Sequence, residues 1–287
     1  MRLRRAGLGV LTVLGLTLPL TSAGTVAPAN GADPAPHVLY AGQKLIYQGD
    51  YGAAGSILKA GEFTLFVGAD NVSLEQVITL TGKNGSTTAE TGVWFADDGT
   101  GEHQVNHDRT ALTMHRDGNL VLTASNGDTL WTSRTSGTGR YNRLVLSPTG
   151  NLAIFTHTNK LVWSSRSSAV LLPPGRALPS GASMRDAYEP PGHYVAQTLR
   201  MQADGNLVRR CNDNVLWQSG THAPGSRLQM TSNGGLAIIT RSNHVVWHAN
   251  VTVHTTYAFF SKSNVEIDRA DGIETVWAAK NVGYRCN

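Results

Sequence analysis

Apolar and polar positions alternate in short runs cut by Gly and Asn, and the whole pattern recurs along the chain. Residues 112–133 read LTMHRDGNLVLTASNGDTLWTS, and residues 144–165 read LVLSPTGNLAIFTHTNKLVWSS. Residues 199–219, LRMQADGNLVRRCNDNVLWQS, and 228–249, LQMTSNGGLAIITRSNHVVWHA, repeat the wording. Residues 258–279, AFFSKSNVEIDRADGIETVWAA, are a worn copy. An irregular first unit starts with FTLFVGADNVSLEQ at 63–76 and reaches Trp94 only after the inserted run ITLTGKNGSTTAE, which reads as a lengthened hairpin. Short alternating runs bounded by turn residues predict half-buried antiparallel strands. Beyond the N-terminal segment nothing has helical period.

The six tryptophans are Trp94, Trp131, Trp163, Trp217, Trp247 and Trp277, spaced by 37, 32, 54, 30 and 30 residues. From Asn119, Asn151, Asn206, Gly235 and Val265 to the next Trp the count is 12, 12, 11, 12 and 12. A period near 30 residues means copies of one supersecondary unit, none able to bury its own apolar face alone. The Trp rings and the Leu ladder are therefore expected in the core. The long gap holds Leu171-Leu172-Pro173-Pro174-Gly175 and Glu189-Pro190-Pro191-Gly192, and Pro and Gly punctuate structure. The units divide three and three, with domains expected at 37–168 and 169–287. The similar openings LYAGQKLIYQG at 39–49 and LPPGRALPSG at 172–181 support that division.

The N-terminus changes the reading of charge. Arg2, Arg4 and Arg5 precede an uncharged apolar stretch from Ala6 to Leu20, followed by small-residue triplets ending at Ala23 and Ala32. This is the grammar of a secretory signal peptide, assigned to residues 1–32 with cleavage after Ala32 favoured over Ala23. The stretch is short for a membrane span, which needs about 20 residues. The formal net charge of +4 owes three charges to this segment, and without it 21 basic residues face 20 acidic ones. That excludes the basic stripe of a nucleic-acid binder. Charged residues are 15% of the chain, so the surface is rich in Ser, Thr, Asn and Gly, which suits neutral polar ligands. The expected product is soluble, secreted and extracellular. Export also favours a disulfide between the two cysteines, Cys211 and Cys286; the alternative is two thiols.

One copy carries a ligand constellation. In QADGNLVRR at 202–210, Gln202, Asp204, Asn206 and Val208 fall at every second position and project to one side of an extended chain, with Met201 and Leu207 on the other. Asp204-Gly205 can bend the strand, so alternation is firmest from Asn206 onward. An amide, a carboxylate, a second amide and a small apolar patch suit one hexose, since carboxylates accept and amides both donate and accept. A lone carboxylate lacks the partner that glycoside hydrolysis needs, so no enzyme is expected. His103 and His107, with Glu102 and Asp108, read as a polar loop rather than a metal site.

These features resemble the bulb-type (monocot mannose-binding) lectin family, whose sugar motif is Q-x-D-x-N-x-V-x-Y. The resemblance spans nearly all of residues 37–280. It implies an all-β chain of two tandem β-prism domains, each of three antiparallel sheet units around a pseudo-three-fold axis. It implies mannose-type glycans, on cell surfaces among other places, as partners, with no cofactor and no metal. Gln202, Asp204, Asn206 and Val208 match the mannose-contacting positions, and Arg210 stands where the family has Tyr. The second-best copy is His115, Asp117, Asn119 and Val121, with Thr123 at the Tyr position. Ser147, Thr149 and Asn151; Thr231, Asn233 and Gly235; Ser261, Ser263 and Val265; and Gly68, Asp70 and Val72 are aligned as scaffold copies. The family also includes lectin-like bacteriocins, in which prisms serve as a targeting scaffold, and that is the rival expectation.

Overall fold

The computed structural model describes residues 37–47, 58–69, 71–82, 85–97, 110–188, 195–249, 251, 256–260, 265–269 and 275–279. The expected signal segment, Asp70, the Glu102–Asp108 loop, Ser261, Ser263 and Cys286 lie outside the described residues.

The alternating runs form strands. They are β1 (Val38–Tyr40), β2 (Lys44–Ile46), β3 (Leu58–Ala60), β4 (Phe63–Val67), β5 (Val72–Gly82), β6 (Gly85–Ala96), β7 (Ala111–Met114), β8 (Leu120–Thr123), β9 (Thr129–Thr132), β10 (Arg143–Leu146), β11 (Leu152–Phe155) and β12 (Leu161–Ser164). They continue as β13 (Leu171–Leu172), β14 (Ala177–Leu178), β15 (Ser183–Tyr188), β16 (Val195–Met201), β17 (Leu207–Cys211), β18 (Asn214–Gln218), β19 (Arg227–Met230), β20 (Leu236–Ile239), β21 (Val245–His248), β22 (Thr256–Phe260), β23 (Val265–Arg269) and β24 (Thr275–Ala278). The described residues contain no helix.

Each repeat is an antiparallel three-stranded meander, and each receives a fourth strand from an opening segment. β1 completes β10-β11-β12, β2 completes β7-β8-β9, and β3 completes β4-β5-β6. In the second set β13 completes β22-β23-β24, β14 completes β19-β20-β21, and β15 completes β16-β17-β18. The opening segments cross between sheets on Gly turns anchored alike. Gly42 N–H donates to Met114 O at 2.7 Å, Gly175 N–H to Met230 O at 2.8 Å and Gly181 N–H to Met201 O at 2.7 Å.

Closure is made by the tryptophans. Trp94, Trp131 and Trp163 meet pairwise edge to face at 5.6–5.8 Å between ring centroids, a favoured aromatic geometry. Trp247 meets Trp217 at 5.9 Å and Trp277 at 5.7 Å. Trp94 is 1% exposed and Trp131 is buried, whereas Trp163, Trp217, Trp247 and Trp277 are half-buried and pack on the same core. Leu74, Leu122, Ile154, Ile238 and Ile267 pair in register with the Trp of their own repeat. In the fourth repeat Arg209 holds that place, paired with Trp217 and 1% exposed. Its Nη2 donates to Gln197 Oε1 at 2.6 Å. Burial lowers its guanidinium to about 10, opposed by the charge of Glu266.

The two sets of sheets are joined. β6 and β15 pair in parallel, Ala187 beside Trp94, and fuse two four-stranded sheets into one of eight. The inserted run forms the long β5–β6 hairpin, and its outer part buries Ile78, Leu80 and Ala89 against Leu171 and Tyr257. Inside that contact Gln76 is 1% exposed. Its Oε1 accepts from Val170 N–H at 2.8 Å and Leu171 N–H at 2.9 Å, and its Nε2 donates to Leu171 O and Glu62 Oε2, each at 3.2 Å. Arg176 pairs with Glu62 at 2.5 Å. Residues 35–287 accordingly form one compact unit.

Removing the Gln76 amide strands two buried backbone donors, each costing about 1–3 kcal/mol when left unpaired. Gln76→Ala is therefore expected to lower unfolding free energy by about 2–4 kcal/mol in denaturant titration. Gln76→Glu keeps the shape and serves as the comparison; it retains the acceptor for Val170 and Leu171 N–H but loses the donor to Leu171 O and Glu62 Oε2.

Candidate functional site

The motif Gly residues make the local geometry. Gly205 lies at φ 88°, and a Cβ there would fall 2.1 Å from Ala223 O, so only glycine closes this turn. Gly205 N–H donates to Gln202 O at 3.1 Å and Gln202 N–H to Asn206 O at 2.8 Å. Gln202 and Asp204 thus sit on a hairpin turn between β16 and β17, not on a continuous strand, and alternation begins at Leu207. Gln202 is half-buried and Asp204 exposed. Asp204 Oδ1 accepts from Asn206 N–H at 2.9 Å, an Asx turn, and among the described residues nothing donates to its Oδ2.

Asn206 is committed to the scaffold. Its Oδ1 accepts from Ser219 Oγ at 3.0 Å and Gly220 N–H at 3.1 Å, and its Nδ2 donates to Gln218 Oε1 at 3.0 Å. The same lock recurs. Asn119 Oδ1 accepts from Thr132 Oγ1, Ser133 Oγ and Thr135 N–H at 3.0–3.1 Å. Asn151 Oδ1 accepts from Ser164 Oγ at 2.8 Å and Ser165 Oγ at 3.2 Å. In the fifth repeat Gly235 and Ala249 replace both partners. There the turn is held by Thr231 Oγ1, which accepts from Gly235 N–H at 2.9 Å, much as Ser147 Oγ accepts from Asn151 N–H at 3.1 Å.

Val208 differs from expectation. It is 2% exposed, flanked in register by Arg200 and Gln218, with Asn206 and Arg210 two positions away on its own strand. The long neighbours close over the methyl groups, as charged stems do over apolar surface. No open apolar patch is presented, and Val121, flanked in register by Thr113 and Thr132, is 7% exposed. Arg210 is half-buried on the same face as Val208, and its Nη1 donates to Asp213 O at 3.0 Å.

The 115–123 copy repeats the turn, with Asn119 N–H on Asp117 Oδ1 at 3.0 Å. Here Ser136 Oγ also donates to Asp117 Oδ2 at 2.7 Å. That hydroxyl, then the backbone donor at Asn119, hold the Asp117 carboxyl below the ordinary carboxylate range, with the charge of His115 adding to them. Both carboxylate oxygens are engaged before any ligand arrives. His115 is exposed, and Thr123 is half-buried with its Oγ1 on Ala111 O at 3.4 Å.

Pairing with Trp corrects two alignments. Leu74 faces Trp94 and Ile267 faces Trp277, so Val72 and Val265 occupy the position of Leu120. Asn71, rather than Val72, stands at the Asn position of the first repeat, and Val265 does not stand at that of the sixth. The first turn is one residue shorter, closed by Gly68 N–H on Asn71 O at 2.8 Å. Among the described residues no group of three or more His, Cys, Asp or Glu could hold a metal ion.

Two outcomes follow for variants. Asn206→Ala should lower stability by about 1–3 kcal/mol, because it strands Ser219 and the Gly220 N–H, while Asp204→Ala loses one exposed Asx bond and about 0.5–1 kcal/mol. Thermal unfolding of the two side by side is the measurement, and equal melting points would remove the scaffold role of Asn206. Ser136→Ala should raise the Asp117 pKa toward its ordinary value, read by NMR titration of the carboxyl carbon.

No protein-family model matches the chain. The mannose-specific lectin TAR1 of Colocasia esculenta is 29% identical over 177 residues, which cover 48% of this chain and 75% of that protein. A monomeric monocot mannose-binding lectin of Gastrodia elata is 28% identical, over 40% of this chain and 100% of its own, at a TM-score of 0.33. A two-domain fetuin-binding agglutinin of Scilla campanulata is 18% identical, over 88% of this chain and 97% of its own, at a TM-score of 0.32. Two sets of three four-stranded units closed on tryptophans and carrying the Asp-Gly-Asn turn make up the all-β architecture, and in sequence the chain is similar to mannose-specific lectins of the bulb type, which are non-catalytic carbohydrate-binding proteins.

Proposed function

We propose that this is a secreted lectin that binds mannose-type glycans through the turn at Gln202, Asp204 and Asn206. The observation that carries this is the exposed Asp204 carboxylate, one oxygen of which is uncommitted, on the same turn as Gln202. A hexose hydroxyl can donate to that oxygen while the amide donates or accepts. The remaining Nδ2 hydrogen of Asn206 adds a third contact, held in place by the lock on Oδ1. The 115–123 turn ranks second, because Ser136 already fills the oxygen that a sugar would use. Binding needs no covalent step and no metal. A shallow one-sugar site yields modest affinity, and two sites on one body raise it on a glycan-coated surface.

Secretion rests on the arginines and apolar stretch of residues 1–32. The domain division at 168/169 and a Cys211–Cys286 bridge belong to the same reading; Cys211 is buried at the end of β17. Among the described residues no helix is long and apolar enough to cross a membrane.

A second reading, an antagonistic protein that uses prisms to target other cells, draws on the scaffold role of Asn119, Asn151 and Asn206. That role keeps the motif asparagine in place whether or not a sugar binds. Calorimetry of the mature chain with methyl α-mannoside and oligomannose tests the first reading. Binding should fall at least about tenfold in Asp204→Ala, the effect of one charge-assisted hydrogen bond. Unchanged binding in Asp204→Ala would move the sugar elsewhere. Growth inhibition of bacteria that free mannose does not relieve would favour the second reading.

A further inference from the structure

The sheet behind the candidate turn carries an unusual outer face. In register, Arg185, Thr198 and Arg210 form one row across β15, β16 and β17, and Ser183, Arg200 and Val208 form the next. Paired residues share a face, so three arginines stand together, with Arg200 diagonal to the other two. At about 4.8 Å between strands, Arg185 and Arg210 start about 10 Å apart, with the Arg200 stem between their rows. Arg200 is exposed, and Arg185 and Arg210 are half-buried. Neither Arg185 nor Arg200 has an ion-pair partner among the described residues. Among the described residues, Asp204 and Asp213 stand in the turns that flank β17: Asp204 Oδ1 accepts from Asn206 N–H, and Asp213 meets Arg210 through its backbone carbonyl.

The other motif copy supplies an internal comparison. In the sheet behind His115–Thr123, the equivalent rows are Ile46, Ala111 and Thr123, then Lys44, Thr113 and Val121. One cation replaces three on the same architecture. The basic face is therefore a property of this copy and not a requirement of the fold.

We propose that the 202–210 site selects glycans bearing an anionic group, a carboxylate or a phosphate, with the sugar ring on the turn and the anion on Arg200, Arg210 and Arg185. Guanidinium groups present planar forks of donors that match such oxyanions, and the Arg at the end of the motif, where a neutral-sugar site has a hydroxyl, supplies donors alone. The proposal rests on the reading of this turn as a sugar site, and the test separates the two.

The full mature chain is titrated with methyl α-mannoside, mannose 6-phosphate, a sialylated oligosaccharide, its desialylated parent and inorganic phosphate. At least one anionic glycan should bind about tenfold or more tightly than its neutral counterpart, the gain of one charge-assisted bond. The advantage should shrink as salt rises from 50 to 500 mM, as screening requires. The double variant Arg185→Gln/Arg200→Gln should keep its melting temperature and lose the preference. Anionic and neutral glycans that bind alike would overturn the proposal, as would a preference that survives in the double variant. Inorganic phosphate that competes as well as the anionic glycan would also overturn it, since the turn would then play no part. Loss of the neutral mannoside in Asp204→Ala with no anionic preference leaves the lectin site standing and removes this inference alone. If Asp204→Ala changes binding of neither class, the site assignment itself falls.

Discussion

Everything in this chain depends on three sheets closing around a trio of indoles. A three-stranded meander exposes one apolar face and is not stable by itself in water. Three of them hide that face only if each brings a large flat group to the common axis, and Trp at a fixed distance from a Leu or Ile does so. Edge-to-face contacts at 5.6–5.9 Å then fix how far apart the sheets stand. The opening segments add a fourth strand to each sheet and tie the beginning of each set to its end.

That closure frees the turns to vary and also constrains what they can become. The asparagine of the motif is at once the pin that locks the turn to the serine after Trp and a candidate sugar contact. Its side chain spends its acceptor on Ser219 and Gly220 and one donor on Gln218. Ligand selectivity must then come from positions that the pin leaves alone. These are the first and third residues of the turn, the last residue of the motif and the neighbouring strands.

Much of this was legible along the chain. The spacing of apolar runs, turn residues and Trp marked the meanders, and a Pro-rich gap falls between the two sets of sheets. The lengthened hairpin was visible as an insertion. What could not be read locally was what the hairpin touches, since Gln76 meets Val170 and Leu171 from 94 and 95 residues away. Nor does a strand pattern say that Arg200 and Gln218 flank Val208, because those residues come from different strands. Motif alignment misplaces Val72 and Val265 by one residue, because turn lengths vary while the strand register does not. Arg210 was noticed as a missing tyrosine. Its company, Arg185 and Arg200, became apparent only once β15 and β16 were laid beside it.

The parallel pairing of β6 with β15 has a consequence for how the protein meets copies of itself. Each of these strands would be the bare rim of a four-stranded sheet, with unsatisfied backbone groups able to recruit another chain. Here each rim caps the other, and the face that points inward in one set, at Trp94, continues past Ala187 as the outward face of the next. The chain has internalised a contact that would otherwise need a second molecule, so the reservoir of sticky edge is smaller than six separate meanders would present. Weakening this seam would therefore do more than loosen the fold: it would convert a self-contained molecule into one with two open templates for self-association.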